Sequence, residues 1–170
     1  MSKEFALMRD VITKYHPRFK RSKDLRNFGL SQPHIFNVTR LIEESLADIG
    51  DYEFIDAAHS DYSDGSDSKT ASIRQQSRTE TGNSFLGEIA AVSSAGGVLK
   101  EGALRCTIYN PHIDGLQFYY LPKSMWQNHV TIHPTSGIGK VLFSWHKPTQ
   151  KIKLLDDYQC GSFIELACAK

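Results

Sequence analysis

Apolar residues recur at intervals of three and four in two stretches near the start of the chain, and at intervals of two through much of the remainder. Phe5, Leu7, Met8, Val11 and Ile12 predict an amphipathic helix over 4–15, stopped by Pro17. Ile35, Phe36, Val38, Leu41, Ile42 and Leu46 predict a second, with Ser31 as its cap, Pro33 in its first turn and Gly50 at its end. Residues 52–58 and 68–74 read as strands, and the turn formers HSDYSDGSD between them predict a hairpin. If Ser63, Asp64 and Gly65 form a type I turn followed by a left-handed glycine, Tyr62 faces Ser66, Asp61 faces Asp67 and His59 faces Lys69. Alternation then sets His59, Asp61, Asp67 and Lys69 on one polar face. The segment SFLGEIAAVSSA, residues 84–95, predicts a short helix capped by Ser84 or Asn83 and ended by Gly96 and Gly97. ALRCTIYN and LQFYYLP, joined by PHIDG, predict a strand pair, with further strands in HVTIH, KVLFSWH and KIKLL. This succession predicts an α/β (α+β mixed) fold, a mixed central sheet flanked by helices.

A chain of 170 residues that is 40% hydrophobic can bury its own core, so a single domain is expected, with a basic helix and arm over 1–30 and a core over 31–170. Neither an apolar run long enough for a membrane span nor a secretory leader is legible, so the expected setting is the cytoplasm, without a membrane partner. Cys106, Cys160 and Cys168 form no CxxC pair and read as reduced packing residues. The net charge of +1 averages over an asymmetry. Residues 1–26 carry eight Lys and Arg against three acids, whereas residues 41–67 carry nine acids and neither Lys nor Arg. A basic arm suits a polyanion, and a dense carboxylate cluster suits a divalent cation.

Carboxylates placed opposite one another on adjacent strands repel by about 4 kcal/mol at 4 Å and an effective dielectric near 20. Asp61 and Asp67 therefore need an offsetting charge, and Mg²⁺, which takes one or two carboxylates together with waters and phosphate oxygens, supplies it. Lys69, two residues after Asp67, projects from the same strand face, where its ammonium can orient a water or its neutral amine deprotonate one. The plainer alternatives are a solvated hairpin tip and a calcium loop, the latter with the wrong spacing and no twelfth-position Glu. His129 and His133 lack further metal ligands nearby, the glycines of TSGIGK lack the phosphate-loop spacing, and Tyr109, Phe118, Tyr119 and Tyr120 read as core.

The motif Asp67-Ser68-Lys69, with Asp61 before it and a Glu-bearing helix ahead of both, resembles the PD-(D/E)XK nuclease superfamily of restriction-endonuclease-like folds. The likeness covers residues 33–122, with Asp56 as a second candidate for the place of Asp61. It implies an Mg²⁺-dependent DNA endonuclease, of the type II restriction or phage and mobile-element kind, with Mn²⁺ as a substitute. Asp61, Asp67 and the Ser68 carbonyl would hold the metal, Lys69 would assist the water, and Glu44 would orient Lys69 or recruit a second ion. Arg18, Lys20, Arg21, Lys23 and Arg26 would contact phosphates of double-stranded DNA, and cutting both strands implies a homodimer. An RNA-cleaving toxin of the same fold and a non-catalytic DNA-binding or assembly protein are the alternatives.

Overall fold

The computed structural model of the chain describes residues 32–170, with side chains from Thr39 onward. The helix expected over 4–15 and the basic residues Arg18, Lys20, Arg21, Lys23 and Arg26 lie outside the described residues.

Helix α1 spans Gln32–Gly50 and ends at the expected glycine. Ile42, Leu46 and Ala47 lie on its buried face, and they pack with Tyr109, Leu116, Phe118, Phe163 and Leu166. The last two come from a short helix at the C-terminus. The first sheet contains β1 (Asp67–Ser72), β3 (Leu104–Asn110), β4 (Gly115–Leu121) and β8 (Gln159–Cys160), in that order. The second contains β2 (Ser84–Ile89), β6 (Gly139–His146) and β5 (Val130–Ile132), with β7 (Lys151–Ile152) also paired to β6. Between β4 and β5 lies the single-turn α2 (Lys123–Trp126), and α3 (Phe163–Cys168) completes the described elements.

β1 runs parallel to β3, and β3 antiparallel to β4, so the first sheet is mixed as expected. All seven residues of β3 are buried, because both of its faces are covered. α1 and α3 cover one face; the other packs on the second sheet, where Leu104, Cys106, Ile108 and Tyr119 meet Phe85, Ile89, Val141, Phe143 and Trp145. Helices, mixed sheet and second sheet form three layers. At the end of β1, Ile73 bridges to Gly87 of β2 while its amide donates to the Tyr109 carbonyl, joining the two sheets.

Two expected elements are corrected. Residues 84–95 begin as strand β2 and not as a helix: Phe85, Gly87 and Ile89 are buried in strict alternation against β6. A Cβ on Gly87 would fall onto the Phe143 ring, so the glycine marks a sheet-to-side-chain contact. Residues 52–58 are not a strand, since only Phe54 forms a bridge, to Tyr62. The amides of Ile55 and Asp56 both donate to the Asp61 carbonyl, and Asp56 takes a left-handed φ of 48°, which curls the segment into a loop. The turn chemistry does form: Gly65 has φ 83°, its amide donates to Tyr62 O at 2.9 Å, and Tyr62 N donates to Ser66 O at 3.2 Å.

Arg105 fastens this turn to the rest of the molecule. Its side chain, 1% exposed, donates to Asp64 Oδ2 at 2.9 Å and Ser66 Oγ at 3.0 Å, and to the carbonyls of Leu166, Ala167 and Ala169 at the end of α3. The rings of Tyr52 and Tyr120 lie over the guanidinium at 4.7 and 5.0 Å. Burial tends to raise the Asp64 carboxyl, but bonds from Ser66 and Arg105 prevail and hold it below its ordinary value. Arg105→Ala removes the planar fork and strands Asp64 and three carbonyls, so it should cost about 3 kcal/mol or more in urea unfolding. Arg105→Lys, which cannot serve all these acceptors at once, should recover less than half of the loss.

Candidate active site

Strand β1 divides its side chains between the layers. Thr70 faces α1, where its hydroxyl lies 3.3 Å from that of Thr39, and Ala71 faces the second sheet. By alternation Asp67 and Lys69 share the second-sheet side. The sequence placed Asp67 on a polar hairpin face; the structure buries its carboxylate to 1% exposure. A lone carboxylate cannot stay ionised there at acceptable cost. Two ammonium groups meet it: Lys69 Nζ lies 2.5 Å from Oδ2 and Lys100 Nζ 3.1 Å from Oδ1.

Asp61 arrives from the loop side. The Asp67 amide donates to Ala103 O at 2.9 Å, toward β3, so the next amide, that of Ser68, points to the free edge of β1. Asp61 Oδ2 accepts it at 2.8 Å. Asp61 therefore lies at the free edge of β1 beside Ser68, next to the residue that carries the buried Asp67 carboxylate. Burial pushes the Asp61 carboxyl up to about 6, with the charge of Asp67 adding to the rise, while the Ser68 amide, Lys69 and Lys100 work against it.

The helix carboxylate that joins this cluster is Glu43, not Glu44. Thr39 meets Thr70, and Glu43, one helical turn later, comes within electrostatic reach of Asp61 and Lys69. Burial first, and the charge of Asp61 second, raise its carboxyl to about 7, while Arg40 and Lys69 pull it down. Glu44, a further 100° around the helix, accepts from Arg40 Nε at 2.9 Å. Asp56, the rival first acid, pairs with Arg40 Nη1 at 3.1 Å and is 67% exposed, so both of these acids are held by Arg40. Arg40 in turn lies 4.0 Å over the Phe54 ring.

Sequence reasoning missed Glu43 and Lys100. The spacing of Thr39, Glu43 and Leu46 held a signal for the first, because i, i+4, i+7 marks one face. Lys100 had none, since it comes near Asp67 only through the parallel pairing of β1 with β3, which sets Leu104 beside Asp67. Cys106 is buried, as expected for a packing residue, and His129 and His133 are exposed.

Hard carboxylate oxygens at Asp61 and Asp67 suit Mg²⁺, and the repulsion from Asp67 that adds to the burial-driven rise of Asp61 is what a divalent cation relieves. Among the described residues, no group of three or more His, Cys, Asp and Glu side chains is arranged to hold a metal ion. Any shell would thus draw on two carboxylates, backbone, water and substrate oxygens, which is ordinary for Mg²⁺. No helix among the described residues is long and apolar enough to cross a membrane. Comparison with known proteins finds no family model that matches the chain and no similar curated protein.

The two raised carboxyls make stability fall with pH in metal-free protein. Folded Asp61 and Glu43 hold protons that the unfolded chain, titrating near 4, releases. The stability they contribute is complete below about pH 4 and is lost as pH rises through about 6 and about 7. With EDTA present, Asp61→Asn and Glu43→Gln should each flatten this dependence between pH 4 and 8. Each should gain about 1 kcal/mol at pH 8 after allowance for solvent screening, measured by urea unfolding across the range.

Proposed function

We propose that this chain is a metal-dependent endonuclease acting on double-stranded DNA, with a site of the PD-(D/E)XK kind. The observation that carries the reading is the bond from the Ser68 amide to Asp61, which brings that acid beside Asp67, with Lys69 on the Asp67 carboxylate. Topology adds partial support, because a mixed sheet has α1 against its motif strand, as the likeness to restriction enzymes implies. Residues 52–58 depart from that likeness, since Asp61 stands on a loop and not on an antiparallel partner strand.

Asp61 and Asp67 would hold Mg²⁺ or Mn²⁺, with the Ser68 carbonyl as a backbone ligand. Such an ion supplies charge neutralisation at the phosphate and a more acidic bound water. The chain's own residues do the rest. Lys69 Nζ, fixed by the strand beside Asp67, orients the attacking water and exchanges a proton with it. Glu43 takes the helix position that the sequence had given to Glu44 and biases the charge around Lys69. The burial of Asp67 excludes bulk water from one side of the site and strengthens these interactions. Arg18, Lys20, Arg21, Lys23 and Arg26 position the duplex through phosphates, and two copies of the chain act on the two strands.

One observation favours a second reading. Two lysines already balance Asp67, as they would in a purely structural ion-pair cluster of a non-catalytic DNA-binding or assembly protein. Incubating the protein with plasmid and with short RNAs, in Mg²⁺ or EDTA, separates the possibilities. The nuclease reading predicts duplex cleavage that EDTA abolishes. It also predicts that Asp67→Asn and Lys69→Ala, with wild-type circular dichroism, each slow the cut by about 10²–10⁴-fold. Cleavage of RNA alone would move the substrate to the toxin alternative. Uncut nucleic acid, or full activity in both variants, would leave the structural cluster.

A further inference from the structure

Asp67 holds one more ammonium than its charge requires. Its carboxylate is 1% exposed, and Lys69 alone would neutralise it. Lys100 nonetheless reaches in from the loop between β2 and β3, 14% exposed, to lie 3.1 Å from Oδ1. It also donates to Ala58 O at 3.1 Å. Burying a second lysine costs desolvation and side-chain freedom, so a function for it is to be sought. Neither Asp67 oxygen has an aligned hydrogen bond, so both lysines are held there by charge and proximity.

The two lysines differ in how they are held. Lys69 belongs to β1, with its backbone paired to Cys106 of β3, and its stem leaves the strand on the same side as Asp67. Lys100 stands on a loop fastened near it by the bond from its own amide to Val92 O at 2.9 Å. When a divalent cation takes the Asp67 carboxylate, the charge that held the ammoniums is shared, and one of them must yield. Lys100, which stands on a loop and not on the motif strand and has the Ala58 carbonyl as a further partner, is the one that can.

Resting on the nuclease reading, we propose that Lys100 is a second, exchangeable lysine of the site. It occupies Asp67 before the metal binds, and it grips the scissile phosphate once the metal has displaced it. A flexible ammonium suits a phosphate oxygen as a point charge, and it would also neutralise the charge that builds there as the bond breaks. Lys100 therefore opposes the metal and favours the substrate. Those two effects have opposite signs in binding, which a merely structural counter-ion would not produce.

The test measures Mn²⁺ affinity by electron paramagnetic resonance, duplex affinity in Ca²⁺ and cleavage rate in Mg²⁺ for wild type, Lys100→Met and Lys100→Arg. Lys100→Met should bind Mn²⁺ about tenfold more tightly, because a competitor for Asp67 is gone. It should hold the duplex more weakly and cleave about a hundredfold more slowly. Lys100→Arg, which keeps the charge, should stay near wild type in Mn²⁺ affinity and recover most of the cleavage. If circular dichroism shows that the Met variant does not fold, Lys100→Gln, able to keep the bond to Ala58, takes its place. Unchanged or weaker Mn²⁺ binding by the variant, or tighter binding with wild-type cleavage, overturns the role of Lys100 and leaves the nuclease reading standing. Wild-type protein that binds no Mn²⁺ overturns both.

Discussion

A carboxylate removed from water costs several kcal/mol unless charge and hydrogen bonds are supplied around it, and Asp67 is removed almost completely. Much of the local architecture answers that requirement. Lys69 comes from the same strand two residues on. Lys100 comes from the loop that must precede β3, because β3 pairs in parallel with β1 and starts beside Asp67. Burial also raises the carboxyl of Asp61, which accepts from the Ser68 amide, and the Asp67 charge adds to that rise. Two acids, two lysines and a third acid on α1 thus form one electrostatic group.

The layers bury this group at the start of β1. The first sheet is closed by helices on one face and by the second sheet on the other, and β2 covers the edge of β1 only at Ile73. The start of β1 is left to the loop 51–66 and to α1. Arg105 then pins the 62–66 turn to α3 from below, which fixes where Asp61 and Asp67 stand relative to the sheet. A rigid base under a site on the strand edge is what precise placement of hard ligands needs.

Local signals were legible wherever one period or one turn decided the outcome. Gly50 ended α1, the strands over 104–110 and 115–121 formed around the expected turn, and the Tyr62–Gly65 turn adopted its left-handed glycine. Residues 84–95 were misread because Phe85, Leu86 and Ile89 fit helical spacing as well as alternation, and only the partner strand β6 decides between them. The strand expected over 52–58 failed because its amides turn back to Asp61 O instead of reaching a ladder. At the site, Asp67 and Lys69 were visible as a motif. Their burial was not, since it depends on the second sheet, and Lys100 depended on a parallel pairing that no short window contains. Choosing Glu43 over Glu44 needed the rotation of α1 against β1, which the Thr39–Thr70 contact supplies.

The proposed site stands or falls with Asp61 and Asp67 holding one cation beside Ser68. Crystals soaked in Mn²⁺ and measured at the manganese edge test this without reference to activity. The expected result is an anomalous peak within coordination distance of both carboxylates, with Lys100 drawn away from Asp67. No peak there, with both lysines still on Asp67 at a Mn²⁺ concentration that saturates other sites, would contradict it.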